Sequence, residues 1–535
     1  MAFNKPNKVQ AQPRSFAPTA EQVVNADLVV AGLDVKVVAG AGTGKSSSLR
    51  YIAARVPDKT MLVLCFNKAN ADESNSHSER PENIYYATLH SIAYGKVVDA
   101  KLRKRLSFLS YRDLEVYNIE ESLDLSYAHS IAATKSIINA VTTYCRSDKE
   151  DVRSVAYDYL WWNHSYDSEN GDKDVCFHNS VLEALASITK RYWEELVHGT
   201  ASVSHDVYLK LYQLAGYKIT EFYDKAKKRY IDIDILALDE SQDTNPVSEA
   251  VFRNQDHLQR IVVGDPMQQL YAWRGAKDIM SMSYYDSFAT GYLSESFRFN
   301  QAIADKANFV LGKAGSKLAL KGSGAKATID STAVLCRTNA AVVETLLALM
   351  ARTESKLYTS IDLKDVFSKL YHMEAAFFDS VPKYPCKELS HIVDKVSLFK
   401  AIEMSDDIAR LHKLRQSLVG AGQNITSVKK AIEERLVEDM AAADVVVSTI
   451  HKSKGLQWAK VVIADDFLSI KEDEAVEDAL ERLWDSHVLT CMLYVAVTRA
   501  EVELVLPWYL REVEGEDSSM FYDGSRNSDM EMEEC

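Results

Sequence analysis

The sequence predicts an α/β fold of parallel sheets flanked by helices, and three observations carry that expectation. Residues 35–38 read as a strand that runs into a glycine-rich stretch, Ala39-Gly40-Ala41-Gly42-Thr43-Gly44-Lys45-Ser46, followed by a helical pattern through Leu49, Ile52 and Val56. Residues 231–238 carry Ile231, Ile233, Ile235, Leu236, Ala237 and Leu238, an apolar run suited to a buried parallel strand, and it ends in two acids, Asp239 and Glu240. The second half repeats the alternation of short apolar strands and helices without a second glycine-rich loop.

Composition sets the class. At 535 residues the chain has room for three or four domains, and 47% hydrophobic with 26% charged residues is the balance of an ordinary soluble globular protein. No apolar run reaches the ~20 residues of a membrane helix, and the polar start lacks the apolar stretch of a signal peptide. The seven cysteines are scattered without a Cys-x-x-Cys pair, which argues against a zinc site or a disulfide framework and for a reducing, intracellular setting. The net charge of −15 is concentrated in residues 512–535, an acidic tail read as disordered and as a candidate protein-interaction segment.

In chain order, Thr19 is placed to cap a helix beginning near Ala20, with Gln22 in its first turn. The amide of Gln22 offers a donor and an acceptor to the edge of a base. In the glycine-rich stretch, backbone N–H groups of a turn and a helix N-terminus can surround a phosphate chain. Lys45 then reaches the terminal phosphates and the Ser46 hydroxyl holds Mg²⁺. Residues 61–66 form the next strand, ending in Phe66, Asn67 and Lys68, and Thr88-Leu89-His90-Ser91 follows a further strand. An aromatic, an amide, a hydroxyl and an imidazole at strand ends of one sheet can line a nucleic-acid groove. Residues 97–230 read as mostly helical, with basic runs at 101–105 and 225–229, a surface loop at 167–174, and Trp161, Trp162 and Trp193 in the core. After the acids, a strand at 260–263 delivers Gly264-Asp265-Pro266-Met267-Gln268-Gln269, where Gln268 stands as a γ-phosphate sensor. Tyr271 and Trp273 share a face of an extended segment and form a stacking platform beside Arg274.

In the second half, Arg298 follows a short strand at 292–293, Arg337 follows a strand at 333–336, and Thr449 and His451 follow a strand at 445–448. Residues 461–463 continue that sheet. Arg499 is expected on a helix just before a last strand at 502–506. Two arginines in a lobe without its own phosphate loop suit arginine fingers.

The motifs AGAGTGKS, CFNKA, TLHS, DESQD, VGDPMQQLYAWRGA, SFR, CRTN, STIHKSKGLQW and LYVAVTRA, in this order over residues 16–507, resemble the superfamily 1 DNA helicases of the UvrD/Rep branch. Residues 208–214 and HKSKGLQW are most similar to the helicase portion of the F-box DNA helicase family. The resemblance implies two RecA-like lobes with ATP in the cleft and single-stranded DNA across the top. It implies that Gln22 reads adenine, that residues 40–46 hold the phosphates, and that Ser46 and Asp239 hold Mg²⁺. Glu240 is then the general base, Gln268 the γ-phosphate sensor, and Arg298 and Arg499 the fingers. Phe66, Asn67, Thr88, His90, Tyr271, Trp273, Arg274, Arg337, Thr449 and His451 fall on DNA-groove positions, and Gln242 and Asp243 on a coupling element. The partners so implied are single-stranded DNA and single/double-strand junctions, with 3′-to-5′ movement. No F-box segment precedes the motifs, so no ubiquitin-ligase role is carried over.

Three departures stand out. Gln457 occupies the place of a glutamate near the ribose. Phe299 and Asn300 follow Arg298 where a serine is common. The stretch between Asn339 and Ser448 leaves room only for a small accessory insertion. The expected division is a first lobe at 1–96 and 216–285 with a helical insertion at 97–215, then a second lobe at 286–345 and 441–511 with the small insertion at 346–440, and the tail from 512. A single-strand translocase that displaces bound proteins with little unwinding is the alternative to a helicase. A helicase–nuclease is disfavoured because the chain ends soon after Arg499. A scaffold without motor activity needs none of Glu240, Gln268, Arg298 and Arg499.

Overall fold

The computed structural model describes residues 17–514 apart from 166–174, 225–226, 272–274, 383–385, 387–388, 390–391 and 471–473. Trp273, Arg274, the 167–174 loop and the tail from 515 onward therefore lie outside the described residues. The rest divides into two compact units, one reaching Ser294 and the other starting at Glu295.

The strands of the first unit are β1 (Val35–Ala39), β2 (Met61–Leu64), β3 (Ile84–Ala87), β4 (Glu221–Asp224), β5 (Arg229–Asp232), β6 (Ile235–Leu238), β7 (Gln259–Gly264) and β8 (Ala289–Leu293). Six of them form one parallel sheet in the order β3-β2-β6-β7-β1-β8. Strands β2 and β6 are buried at every position, which explains their unbroken apolar sequences. Successive side chains point to opposite faces. Met61, Val63, Ile235 and Ala237 meet Leu49 and Ile52 of helix Lys45–Arg55 in one core. Leu62, Leu64, Leu236 and Leu238 enter the other core with the helical insertion.

That insertion is built on helices Tyr127–Arg146, Val152–His164, Asn179–His198 and His205–Leu214. Lys210 on the last of them is buried, donates to the carbonyls of Ser147 (3.0 Å) and Lys149, and lies 4.4 Å from the centre of the Tyr144 ring. Burial pulls its ammonium pKa down to about 8. Trp193 is buried as expected, whereas Trp162 is 52% exposed and is not a core residue.

The strand expected at 231–238 is two elements. Ile231 belongs to the antiparallel hairpin of β4 and β5, and only residues 235–238 enter the sheet. Asp234 breaks the run: its carboxylate accepts from Thr60 N at 2.8 Å, and its own N–H donates to the Thr60 carbonyl at 3.0 Å. Strand β8 also departs from expectation, because it is the edge of the first sheet beside β1. The division accordingly falls after Ser294 and not at 286.

The second unit opens with a short parallel pair, β9 (Glu295–Ser296) and β10 (Lys321–Gly322). Its main sheet holds β11 (Thr332–Cys336), β12 (Leu357–Thr359), β13 (Val445–Thr449), β14 (Trp458–Ile463) and β15 (Ala500–Val505), all parallel, in the order β12-β13-β11-β14-β15. Between β12 and β13 stand helices Leu363–Phe377, Lys395–Met404, Asp406–Gly420 and Ile425–Arg435. They share one core with Val343 and Leu346 of helix Asn339–Arg352 and with Leu357 and Val447 of the sheet. Among the described residues the cysteines form no disulfide, and no helix is long and apolar enough to cross a membrane.

Candidate nucleotide and nucleic-acid site

Helix Ala20–Val30 begins with a capping box: Thr19 Oγ1 accepts from Gln22 N and Gln22 Oε1 accepts from Thr19 N, both at 3.1 Å. Gln22 is buried and its amide is thereby oriented.

Strand β1 leads into residues 40–44, where Gly42 (φ 73°) and Gly44 (φ 79°) take the left-handed conformation that favours glycine. Gly40 N donates to Leu293 O at 3.0 Å, and the buried Thr43 hydroxyl folds back onto Gly40 O at 2.9 Å. Ala41 is buried in the same turn. Gly44 caps helix Lys45–Arg55 without a side-chain hydrogen bond, and Ser46 sits in the first turn. Such a turn suits a phosphate chain.

Register brings the other strand ends level with this loop. Leu64 pairs with both Ala87 and Leu238, so Phe66, Thr88 and Asp239 emerge at the same edge of the sheet. Asp239 Oδ1 accepts from Glu240 N at 2.9 Å, and Lys45 Nζ lies 3.5 Å from Glu240 Oε1. Glu240 itself takes a left-handed backbone (φ 52°), which turns the chain sharply off the strand. Burial and the neighbouring charge of Glu240 push the Asp239 carboxyl above the usual carboxylate range, while Lys45 pulls it back.

From Glu240 a buried relay runs onward. Gln242 Nε2 donates to Glu240 Oε2 at 2.6 Å, and Gln242 Oε1 accepts from Asp265 N at 3.0 Å. Asp265 Oδ2 then accepts from Gln268 Nε2 at 2.7 Å. Gln269 Nε2 continues to Ala276 O at 3.2 Å, and Ala276 N donates to Tyr271 O at 3.3 Å. Gln242, Asp265 and Gln268 are buried in one hydrogen-bonded chain, and the backbone alone carries it on to Gln269, which is also buried. Gly264 is required by this closeness: a Cβ there would stand 2.3 Å from Ser241 Oγ and 2.6 Å from Gln242 Oε1. Asp265 and Gly264 sat inside a motif read for Gln268, Tyr271, Trp273 and Arg274, and their strand-end position was the signal that could have found them.

The relay ends at an aromatic pair. Phe66, 46% exposed, and Tyr271 stack with centroids 5.5 Å apart and planes 10° apart. Asn67 and Thr88 are helix caps, accepting from Asn70 N (2.8 Å) and Ser91 N (3.1 Å). His90 is tied to the helical insertion, with Nε2 3.7 Å from Asp206 Oδ1, and Asp206 also accepts from Arg146 Nε at 3.1 Å. Burial raises the Asp206 pKa, but the His90 hydrogen bond and the Arg146 charge more than offset it, so the carboxyl lies below its usual value. The sequence held no signal for Asp206.

In the second unit, Cys336 pairs in register with Thr449, so Arg337 leaves β11 beside Thr449 and His451 at the end of β13. Thr449 caps the short helix Ile450–Ser453, which carries His451. Asp466, beyond β14, accepts from Arg337 N (2.9 Å), Thr338 N (2.9 Å) and Thr338 Oγ1 (2.9 Å), and so shapes the turn that bears Arg337.

Arg298 Nε donates to Gln457 Oε1 and a terminal nitrogen to Thr498 O, both at 3.0 Å. Arg499 follows the end of helix His487–Val497 rather than riding on it, and it is 1% exposed. Its guanidinium donates to Val495 O (3.0 Å), Leu456 O (3.2 Å) and Thr498 Oγ1 (3.2 Å). The departures after Arg298 have structural reasons: Phe299 is fully buried, and Asn300 caps helix Gln301–Lys313 while donating to Val502 O at 2.9 Å.

Among the described residues no cluster of three or more His, Cys, Asp or Glu could hold a metal alone. A serine hydroxyl and one carboxylate, Ser46 and Asp239, suit Mg²⁺ completed by phosphate and water oxygens.

Residues 20–289 match the UvrD/REP helicase N-terminal domain. F-box DNA helicase protein 1 of Schizosaccharomyces pombe is 25% identical over 536 residues, covering 92% of this chain and 58% of that protein. F-box DNA helicase 1 of Gallus gallus is 26% identical over 524 residues, covering 89% of this chain and 47% of that protein. A probable DNA helicase II homolog of Mycoplasma capricolum is 28% identical over 169 residues, 28% of this chain and 23% of that protein. The chain thus spans about half the length of the two F-box relatives. Because that helicase domain matches residues 20–289, half of the chain's length, the chain belongs to the UvrD/REP helicase family.

Proposed function

We propose that this protein is an ATP-dependent DNA helicase that moves 3′-to-5′ on single-stranded DNA inside the cell and opens duplexes at single/double-strand junctions. The observation that carries the reading is the buried relay from Lys45 and Glu240 through Gln242, Asp265 and Gln268 to the loop of Tyr271. It joins Lys45 and Glu240, read as the phosphate-binding lysine and the base, to the stacked pair of Phe66 and Tyr271. Base stacking on such a platform is worth ~1–3 kcal/mol per base.

In this reading the turn of residues 40–46 holds the phosphates and Gln22 reads the adenine. Glu240 orients and deprotonates the attacking water. Ser46 and Asp239 would hold Mg²⁺, which would supply positive charge to the terminal phosphates. Gln268 answers to the γ-phosphate, and Arg298 and Arg499 neutralise charge that develops on it. A change at Gln268 then reaches Tyr271 and Phe66, while Thr88, His90, Arg337, Thr449 and His451 contact the strand. Trp273 and Arg274 belong to the same groove by sequence. The acidic tail is assigned to a protein partner.

The test is ATP-dependent strand separation on duplexes with a 3′ or a 5′ single-stranded tail. Opening of the 3′-tailed substrate alone is expected, and equal opening of both, or of neither, rejects the reading. The small four-helix insertion after β12 favours one second reading, a translocase that strips proteins from DNA. Displacement of a bound protein without duplex opening would establish it.

A further inference from the structure

The side chains around Arg298 form a second polar chain, wholly inside the second unit. Arg298 Nε donates to Gln457 Oε1 at 3.0 Å. Because that oxygen accepts, the other end of the amide must donate, and Gln457 Nε2 does so to Glu501 Oε1 at 2.7 Å. Glu501 is buried, and its second oxygen is held by Lys326 Nζ at 2.8 Å. Lys326 in turn lies 2.7 Å from Asp330. Glu501 stands on β15, and its carbonyl accepts from Asn300 N at 3.1 Å, so backbone and side chain both lead back to the segment that carries Arg298.

The chemistry of the chain is specific. Two of the acceptors on Arg298, an amide oxygen and the Thr498 carbonyl, are neutral, so these two orient the guanidinium without cancelling its charge. A carboxylate at position 457 would do the opposite, pairing with the arginine and facing Glu501 at hydrogen-bond distance. An amide can hold the arginine only if its own direction is fixed, and the Glu501 carboxylate fixes it.

We propose that Glu501, acting through Gln457, is a positioning residue that holds Arg298 in the orientation its finger role needs. This rests on the reading of Arg298 as a finger. Misplacement of a reacting group by about 1 Å costs up to ~10²-fold in rate.

The experiment uses the full chain with saturating single-stranded DNA and reads ATPase turnover, ATP affinity from a fluorescent analogue, and thermal melting. Glu501→Leu is expected to lower turnover on the order of tenfold to a hundredfold, with ATP affinity close to the parent and melting somewhat lower, because Gln457 and Lys326 lose a partner, but still above the assay temperature. Glu501→Gln keeps an acceptor for Gln457 Nε2 and is expected to retain most turnover. Gln457→Glu is expected to lower turnover, because the arginine becomes paired. In an Arg298→Ala background, Glu501→Leu should add no further loss. Parental turnover in Glu501→Leu, an equal loss with and without Arg298, or a loss that follows melting would overturn the proposal. Full turnover in Arg298→Ala alone would instead overturn the finger reading on which it rests.

Discussion

Arg298 and Arg499 share a proposed role but are held differently, and their alanine variants should therefore fail differently. Arg298 is partly exposed, and two neutral oxygens are among its acceptors. Arg499 is enclosed, and its guanidinium donates to three oxygens of its own unit. Leaving a buried acceptor without its donor costs about 1–3 kcal/mol. Arg298→Ala is expected to lose ~10³–10⁵ in DNA-stimulated turnover with melting unchanged. Arg499→Ala should lose comparable turnover and also melt several degrees lower, with ATP binding still measurable; normal turnover in that variant would remove it from the site. Asp239 supports a prediction about pH. Its carboxyl is raised by burial and by Glu240, so a proton competes with Mg²⁺ at a higher pH than for an exposed aspartate. As pH falls through neutrality the protonated form grows, and the Mg²⁺ concentration needed for half-maximal ATPase should rise. An Mg²⁺ requirement independent of pH over that range would contradict the assignment of Asp239 as ligand.

At the scale of elements, the relay between β6 and β7 links two strand ends whose sequences each look ordinary. Gly264→Ala places a methyl carbon where Ser241 and Gln242 stand, so Gln242 must move away from Glu240 or from Asp265. ATP binding should survive in this variant, since the 40–46 turn is untouched, while DNA stimulation of the ATPase is lost. Stimulation at the parental level would show that the relay carries no coupling. The aromatic pair gives a separable effect: Tyr271→Ala should weaken single-strand affinity by ~1–3 kcal/mol with little change in salt dependence, because stacking and not phosphate contact is removed. A change in salt slope without that loss would contradict the stacking role. The phosphate loop, the acids and the strand-end groups were legible in the sequence because each is local, a few residues whose chemistry is fixed by a strand–turn–helix context. The relay was legible only as a motif, since the bond from Gln242 to Asp265 spans strands adjacent in space alone. Glu501 and Asp466 were illegible, being single acids on ordinary strand ends whose partners lie 44 and 129 positions away.

At the scale of the whole molecule, the alternation of strand and helix foretold parallel sheets in both halves, but not where the first sheet ends. Ala289–Leu293 has no sequence mark that separates an edge strand of one sheet from the first strand of the next, and only its register with β1 settles the matter. Similarly, the sequence predicts a separate small insertion at 346–440, whereas the helices there share a core with Leu357 of β12 and Val447 of β13 and are part of how the second unit folds. Each unit thus has a core of its own, one built around β2 and β6 and the other around β11 and β13. A chain with two such cores is not expected to unfold in a single step. The phosphate loop and the acids all lie in residues up to Ser294, so nucleotide binding should act chiefly on that unit. At a ligand concentration about 100 times Kd the stabilisation is ~2.7 kcal/mol. Hydrogen exchange with a slowly hydrolysed ATP analogue and Mg²⁺, but no DNA, should show slowed exchange in β1, β6 and β7, with β11 and β13 little changed. Equal protection of both sheets would mean that nucleotide alone engages the second unit, and the arginines there would then act in binding as well as in turnover.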